Sequence, residues 1–463
     1  VYRAGTIGTV QFKTAYGYVR QYFEDFLHYT KEDVDNVVKK SKVACIAYGC
    51  VDVKRTTGQH PAGIVVVPDG YDINDFTPIQ YPADDITATW KTTHFDFTSM
   101  HDTLLKLDIL GHVDPQALKM LGDLSHVDIK KIPLAEPNVL SLFTKDDALK
   151  LEHKYLKPDN GALGIPEFGT NFVRKVLREA QPKTFQDLVI ISGLTHGTNV
   201  WNGNAQDLIL NNIADLKGVI GCRDDIMVYL ITKGIDKHDA FTIMETVRKK
   251  GKHLSPAQIQ EMLDHDVPQY YIDSCEKIEY LFPKGHATAY VMMALRVGYF
   301  KVYYPLEFYA TFFTLRCDAY DIKSMCNGID RVYNKLEELR GLLAAKELKD
   351  KDAAIIDTLD VVLELYERGF KIENISLEKS DATKFLIDYE NKALIPPFKV
   401  LDGMGDNNCL ELVKARNEAP FSSKEDLLNR GHISEKILKD LEKMHVVDNL
   451  KDNDQISLFD FNF

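Results

Sequence analysis

The sequence predicts an α+β multidomain chain, on three observations. At 463 residues it exceeds a single ordinary core, so roughly two to four domains are expected. Short β-branched runs crowd the first 120 residues, whereas 121–316 read as almost wholly helical. Hydrophobic residues make up 45% and charged residues 27%, the balance of a packed chain rather than a disordered one.

Residues 16–42 have helical apolar spacing, with Tyr22, Phe23, Phe26 and Leu27 on one side. Gly63-Ile-Val-Val-Val-Pro68 is a β-branched run stopped by proline, as a buried strand would be. Thr92-Thr-His-Phe-Asp-Phe97 and Leu104-Leu-Lys-Leu-Asp-Ile-Leu110, closed by Gly111, are the next strand candidates. Three short strands around a helix suit one α/β layer. Helices are expected over 165–179, 223–233, 238–249, 255–265 and 287–300, divided by Gly, Pro and Asp breaks. A charged helix pair (330–367) follows, then a β-like stretch ending at Leu394-Ile-Pro-Pro-Phe398 and a Gly403-Met-Gly405 turn flanked by helices. The tail is polar at Lys451-Asp-Asn-Asp454 and ends in the apolar cluster Ile456-Ser-Leu-Phe459. There is no internal repeat and no low-complexity segment.

Composition excludes some classes. No apolar run approaches the ~18 residues that span a bilayer, so no membrane role is expected. The chain opens on Val1 with neither a basic-then-apolar leader nor an initiator Met, and the missing Met reads as a fragment of a longer protein. Its seven cysteines are scattered without C-x-x-C spacing, which argues against a disulfide framework or zinc site and for a reducing cytoplasm. The net charge of −13 argues mildly against a nucleic-acid binder, although a basic groove can sit inside an acidic whole.

Five places can carry chemistry. Asp108 has apolar neighbours in its strand, and a buried carboxylate is costly unless paired or metal-bound; the plain alternative is a strand-end carboxylate facing solvent. Lys106, two residues earlier, points to the same face, which suits either a salt bridge or a metal-plus-phosphate site. Asp96 is a weaker case beside polar Thr and Ser. The glycine-containing run Arg55-Thr-Thr-Gly-Gln-His-Pro-Ala-Gly63 reads as a loop before a strand, with Arg55 and His60 available to phosphate. Arg248-Lys-Lys-Gly-Lys-His253 ends a helix; Arg248, Lys249, Lys250 and Lys252 exceed what favourable helix-end charge requires and point to an anion, either a triphosphate or nucleic-acid phosphate. Phe282-Pro-Lys-Gly-His-Ala-Thr-Ala-Tyr290 places Lys284 and His286 near a helix N-terminus, with Tyr290 one turn on, able to stack a base or simply to fill a core.

Gly403-Met-Gly405 with Lys414 and Arg416 on the next helix resembles the helix-hairpin-helix motif, in which glycines let backbone N–H groups approach a phosphate. Lys and Arg balance Asp and Glu nine to nine across residues 391–446, so no basic field adds to it. Gln455-Ile-Ser-Leu-Phe459 resembles the short peptide that docks bacterial replication proteins on the sliding clamp, with Gln455, Leu458 and Phe459 as anchors.

Taken in order, these segments resemble the PolC-type bacterial DNA polymerase III alpha subunit, a C-family replicative polymerase, over essentially the whole chain. Arg3-Ala-Gly-Thr-Ile-Gly-Thr-Val10, Lys13-Thr-Ala-Tyr-Gly-Tyr18, Arg55-Thr-Thr-Gly-Gln-His-Pro61, Phe76-Thr-Pro-Ile-Gln80, Thr93-His-Phe-Asp-Phe97 and Leu104 to Gly111 are similar to its palm. Gly164-Ile-Pro-Glu-Phe-Gly169, Ile191-Ser-Gly-Leu194, Gly221-Cys-Arg-Asp-Asp-Ile-Met227 and Phe282 to Tyr290 are similar to its fingers. The resemblance implies a polymerase-beta-like nucleotidyltransferase palm ending near residue 120, helical fingers over 121–316, and a duplex-binding region over 317–450 with a helix-hairpin-helix near 398–418. A clamp-binding tail over 451–463 completes it.

It further implies DNA-directed DNA synthesis: dNTPs are added to a primer 3′-hydroxyl by chemistry assisted by two Mg²⁺ ions. Asp108 matches the third of three palm aspartates; the Asp-x-Asp pair, the Gly-Ser phosphate loop and the thumb would precede Val1, so the chain alone is expected to be inactive. Lys106 would touch primer or triphosphate oxygens, and the basic stretch with Lys284, His286 and Tyr290 would face the dNTP. Implied partners are primer–template DNA, the sliding clamp and other replisome subunits in the bacterial cytoplasm. Ala62, Asn199, Gly285 and Thr288 depart from the family's usual residues. The alternative is a non-catalytic, clamp-tethered DNA-binding module; a metal-dependent phosphohydrolase lacks the clustered ligands it needs.

Overall fold

The computed structural model describes residues 2–109, 111–249, 251 and 253–453. The chain divides between His112 and Val113 into two compact units, an α+β architecture with small sheets and a helical majority.

The first unit is built on a five-stranded sheet in the order β3-β4-β1-β2-β5, where β1 is Tyr2–Thr9, β2 Lys54–Val66, β3 Ile79–Gln80, β4 Thr92–Asp96 and β5 Leu105–Asp108. The expected strand at Gly63 is therefore the end of a much longer one, and the run from Arg55 to Gly63 is not a loop ahead of it. That polar run becomes strand because β1 pairs with it antiparallel from Thr9↔Lys54 to Gly5↔Gln59. The register then shifts, resuming at Arg3↔Ile64. Residues 60–63 bulge out of the β1 ladder there, where Pro61 and its missing N–H are tolerated. β4 runs parallel to β1, and Gly5 is needed at that crossing, because a Cβ on it would stand 2.1 Å from the Thr93 carbonyl oxygen.

Ala4, Val65, Ile73, Met100 and Leu104 form this unit's sheet core. The helix expected over 16–42 is interrupted. Phe12–Asp25 is one helix, and a new one starts at Lys31 behind a reciprocal Thr30–Asp33 cap, with His28 at φ +56° in the break.

In the second unit, one apolar cluster gathers Phe143, Phe168, Leu188, Ile191, Trp201, Ile243 and Tyr271. A second joins Phe308, Tyr309, Phe313, Leu336, Leu359, Phe385, Phe398, Leu412 and Leu441. The helix Lys284–Tyr303 serves both, giving Val291 and Leu295 to the first and Val297 and Phe300 to the second. Lys301 on this helix is fully buried, donating to the carbonyls of Gly161 (2.8 Å) and Leu163 (2.5 Å) and to Glu364 (2.9 Å), which also accepts from Tyr309 Oη (2.7 Å). Each charge is thereby matched inside the buried core.

The expected helices appear at Arg223–Thr232, Lys237–Val247, Pro256–Asp264, Ile329–Ala344 and Asp350–Glu367. The one expected from 165 starts later, at Asn171, because Thr170 caps it and residues 164–169 form a turn. A small sheet, β6 (Lys371–Ile372), β8 (Ala393–Ile395) and β7 (Leu386–Asp388) in that order, precedes the glycine turn and the helices Asp406–Glu418, Lys424–Arg430 and Glu435–Lys443. Among the described residues no helix is long and apolar enough to cross a membrane.

Candidate nucleotide and nucleic-acid sites

In the first unit the candidate site lies on edge strand β5. Gly63 pairs with Asp108 and Val65 with Lys106, so Lys106 and Asp108 lie on the face of the small core. Of the two readings the sequence left open for Asp108, the structure takes the solvent-facing one: its side chain is 45% exposed. Its apolar neighbours Leu105, Leu107 and Ile109 are exposed as well. The burial argument fails because β5 is an edge strand. Lys106 Nζ stands 3.4 Å from Asp108 Oδ1 and over the Phe97 ring at 5.2 Å.

The bulge in β2 brings in a third group, with His60 Nδ1 3.7 Å from Asp108 Oδ1 and His60 Nε2 3.5 Å from Lys106 Nζ. The Ala62 N–H donates to His60 Nδ1 at 3.2 Å, and a nitrogen that accepts has no proton for Asp108. The His60–Asp108 approach is then a close contact rather than an ion pair. Gly63 makes room for it: a Cβ there would meet His60 Nδ1 at 2.8 Å and Lys106 Cδ at 3.0 Å. Asp96 accepts from the Thr98 N–H at 2.8 Å and caps a short turn. The Arg55 side chain lies outside what the structure describes.

In the second unit the basic stretch is less free than its composition implies. Glu245 binds Arg248 through both carboxylate oxygens (2.5 and 2.8 Å) and Lys249 at 3.1 Å. The Arg248 hydrogen bonds, above all, pull the Glu245 carboxyl down to about 2. His253 faces Glu276 at 3.6 Å. Lys250 and Lys252 lie outside the described residues.

Lys284 opens its helix with its N–H on Asp224 Oδ2 (2.7 Å) and its Nζ on Asp225 Oδ1 (2.7 Å), and the Asp225 hydrogen bond raises its pKa. Beyond it the rings form a ladder, with centroids 4.9 Å apart for Phe282–His286 and 4.2 Å for His286–Tyr290. Sequence reasoning missed Glu245, Asp224 and Asp225. The first was findable, since it stands three and four residues before the cations it holds on one helix. The other two come from a distant helix and leave no local signal.

At the glycine turn, Gly403 has φ +100°, a conformation few other residues adopt, and Gly405 is the N-cap of Asp406–Glu418. On that helix Lys414 pairs with Glu411 at 3.6 Å. Arg416 Nη1 donates to the Ser380 carbonyl (2.5 Å) and the Leu377 carbonyl (3.3 Å), tying the helix to the loop after β6. Gln455, Leu458 and Phe459 lie outside the described residues.

Among the described residues no three His, Cys, Asp or Glu side chains gather into a group able to hold a metal ion. Asp108 offers hard oxygen ligands of the kind Mg²⁺ takes, but it stands as a single carboxylate beside an ammonium. It fits as one ligand of such a site, not as the site.

Three family models match the chain in order. They are the bacterial DNA polymerase III alpha NTPase domain over residues 2–111, the bacterial DNA polymerase III alpha subunit finger domain over 114–267 and a helix-hairpin-helix motif over 369–456. The first two meet where the structure divides. The chain belongs to the PolC-type bacterial DNA polymerase III alpha subunit family. It is 52% identical over 460 residues to the DNA polymerase III PolC-type of Halalkalibacterium halodurans, 51% over 462 to that of Bacillus subtilis and 48% over 461 to that of Staphylococcus aureus. Each alignment covers 99% of this chain and 31% of the relative, so the chain spans about a third of those proteins' length.

Proposed function

We propose that this chain supplies part of the palm (within 1–120), the fingers (121–316) and a duplex-binding region (317–450) of a DNA-directed DNA polymerase. In that enzyme a primer 3′-hydroxyl attacks the α-phosphate of a dNTP on primer–template DNA, and pyrophosphate leaves. The observation that supports this most is Asp108 beside Lys106 on an open strand edge, inside a polymerase NTPase-domain match that is followed by finger and helix-hairpin-helix matches.

Asp108 would be one Mg²⁺ ligand, with the remaining carboxylates supplied by the parent protein. Two bound Mg²⁺ ions would lower the cost of ionising the 3′-hydroxyl and of charge building on the pyrophosphate. Lys106 would neutralise phosphate oxygens beside Asp108. Arg248, Lys249, Lys250, Lys252 and Lys284 would hold the triphosphate, while His286 and Tyr290 present a stacking face to the base. Amides at Gly403 and Gly405, with Lys414 and Arg416, would meet the DNA backbone. Gln455, Leu458 and Phe459 would dock on the sliding clamp within the bacterial replisome.

Primer extension tests the reading. The parent enzyme should incorporate dNTPs in Mg²⁺, and Asp108→Asn should lower kcat by about 100-fold or more, the scale on which removing one electrostatic stabiliser acts. The isolated chain should incorporate none. Unimpaired incorporation by the Asp108→Asn parent would leave the non-catalytic DNA-binding module as the better reading.

A further inference from the structure

Glu167 takes φ +67°, a conformation disfavoured for a residue with a Cβ and often found where function imposes it. From there its carboxylate meets His196 Nε2, while His196 Nδ1 lies 2.5 Å from the Ser192 carbonyl oxygen. The Ser192 carbonyl can only accept and an ionised Glu167 carboxylate accepts as well, so the arrangement favours a proton on each ring nitrogen, the imidazolium form. The Glu167 hydrogen bond accordingly raises the His196 pKa.

The backbone keeps this cation beside the ring ladder. Thr198 N–H donates to the Tyr280 carbonyl (3.0 Å) and Glu279 N–H to the Thr198 carbonyl (3.1 Å), so the segment after His196 runs along the segment before Phe282. The His196 ring stands edge-on to Phe282 at 5.6 Å and 6.5 Å from the His286 ring. Glu167 also helps raise the Tyr290 pKa, behind the larger effect of burial. The pair is about a quarter exposed (25% and 23%), and a partly exposed ion pair adds little to stability. Stability is a poor reason for an otherwise disfavoured backbone.

We propose that the Glu167–His196 ion pair is a positioning clasp. It bridges the turn at 164–170 and the end of helix Phe185–His196, and it braces Phe282, His286 and Tyr290 in the posture that receives the base and sugar of an incoming dNTP. The inference rests on the polymerase reading and deepens it. Neither clasp residue touches the reacting atoms.

The experiment is single-nucleotide incorporation by the full-length parent polymerase on a primer–template with dNTP varied, comparing wild type, Glu167→Gln, His196→Gln and the double variant. Each single change should raise the apparent KM for dNTP about tenfold with kcat within about twofold, and the double should be no worse than the worse single. Unchanged KM, a fall in kcat alone, or effects that multiply would overturn the clasp while leaving the polymerase reading intact. A wild-type enzyme that extends no primer would overturn both. Should His196→Gln fail to fold, Glu167→Gln, which removes only a charge at a partly exposed side chain, carries the same KM test.

Discussion

The two units bury their apolar residues to very different degrees. In residues 113–463 the rings of Phe143, Phe168, Phe300, Phe308, Tyr309, Phe313, Phe385 and Phe398 are essentially sealed from solvent. In residues 1–112 the sheet core is Ala4, Val65, Ile73, Met100 and Leu104, and Val34, Val38 and Val43 form a separate small cluster. Meanwhile Phe26 (72%), Tyr48 (74%), Leu105 (61%) and Leu107 (48%) of that unit are exposed. Burial stabilises by roughly 25 cal/mol per Å² of apolar surface, so the first unit draws far less from its interior. The unit that carries Asp108 is thus the thinly cored one, and the unit that carries the basic stretch is the heavily cored one.

The sharpest way to break this contrast is at Lys301. Lys301→Met strands Glu364 in the interior and should destabilise the second unit by about 3–5 kcal/mol. The double change Lys301→Met with Glu364→Leu should recover most of that loss, because both charges then leave together. Urea unfolding followed by Trp201, buried in this unit, reads both values. Phe313→Ala should cost a comparable ~3–5 kcal/mol. Val65→Ala, in the thinner core, should cost only about 1 kcal/mol and leave the Trp201 transition in place. Equal losses at Phe313 and Val65 would mean the first unit is as well packed as the second.

What was legible follows the same division. In the second unit, helix periodicity and a local cap such as Ser255–Gln258 sit close in sequence, so element type and much of the boundary placement could be read for the helices expected there. In the first unit, β2 owes its length to β1, more than 40 positions away along the ladder. Thr56-Thr-Gly-Gln-His-Pro61 carries no apolar alternation to announce it. The β2–β5 register puts Gly63 opposite Asp108, and the bulge then sets His60 beside it, so neither neighbour of that carboxylate's site was visible in the local pattern. Lys284 shows the same limit: its cationic character was plain, its Asp224 and Asp225 partners were not.

A smaller effect distinguishes the units by pH. The folded-state pKa of His196 is raised by Glu167. Its contribution is therefore fully present below the ordinary imidazole value of about 6.5 and is lost as pH rises through the higher folded value. The second unit's Tm in wild type should fall toward that of His196→Gln as pH rises from about 6 to 9. Parallel curves would remove Glu167 as the source of the shift.

The smallest expected effect concerns Glu245. Its carboxyl, held down to about 2 by Arg248 and Lys249, stabilises the fold above its ordinary value near 4.5. That contribution is lost as pH falls toward 2. Around neutral pH, Glu245→Gln should shift stability by no more than about 1 kcal/mol, since the pair is on a helix surface. Its effect on anions should be clearer, because the change releases Arg248 and Lys249 together. Binding of a non-hydrolysable dNTP analogue to the parent enzyme should tighten a few-fold at low salt, and the gain should shrink as ionic strength rises. A loss of affinity would mean that Glu245 instead aims the two cations at the triphosphate, making the carboxylate part of the nucleotide site rather than a competitor for it.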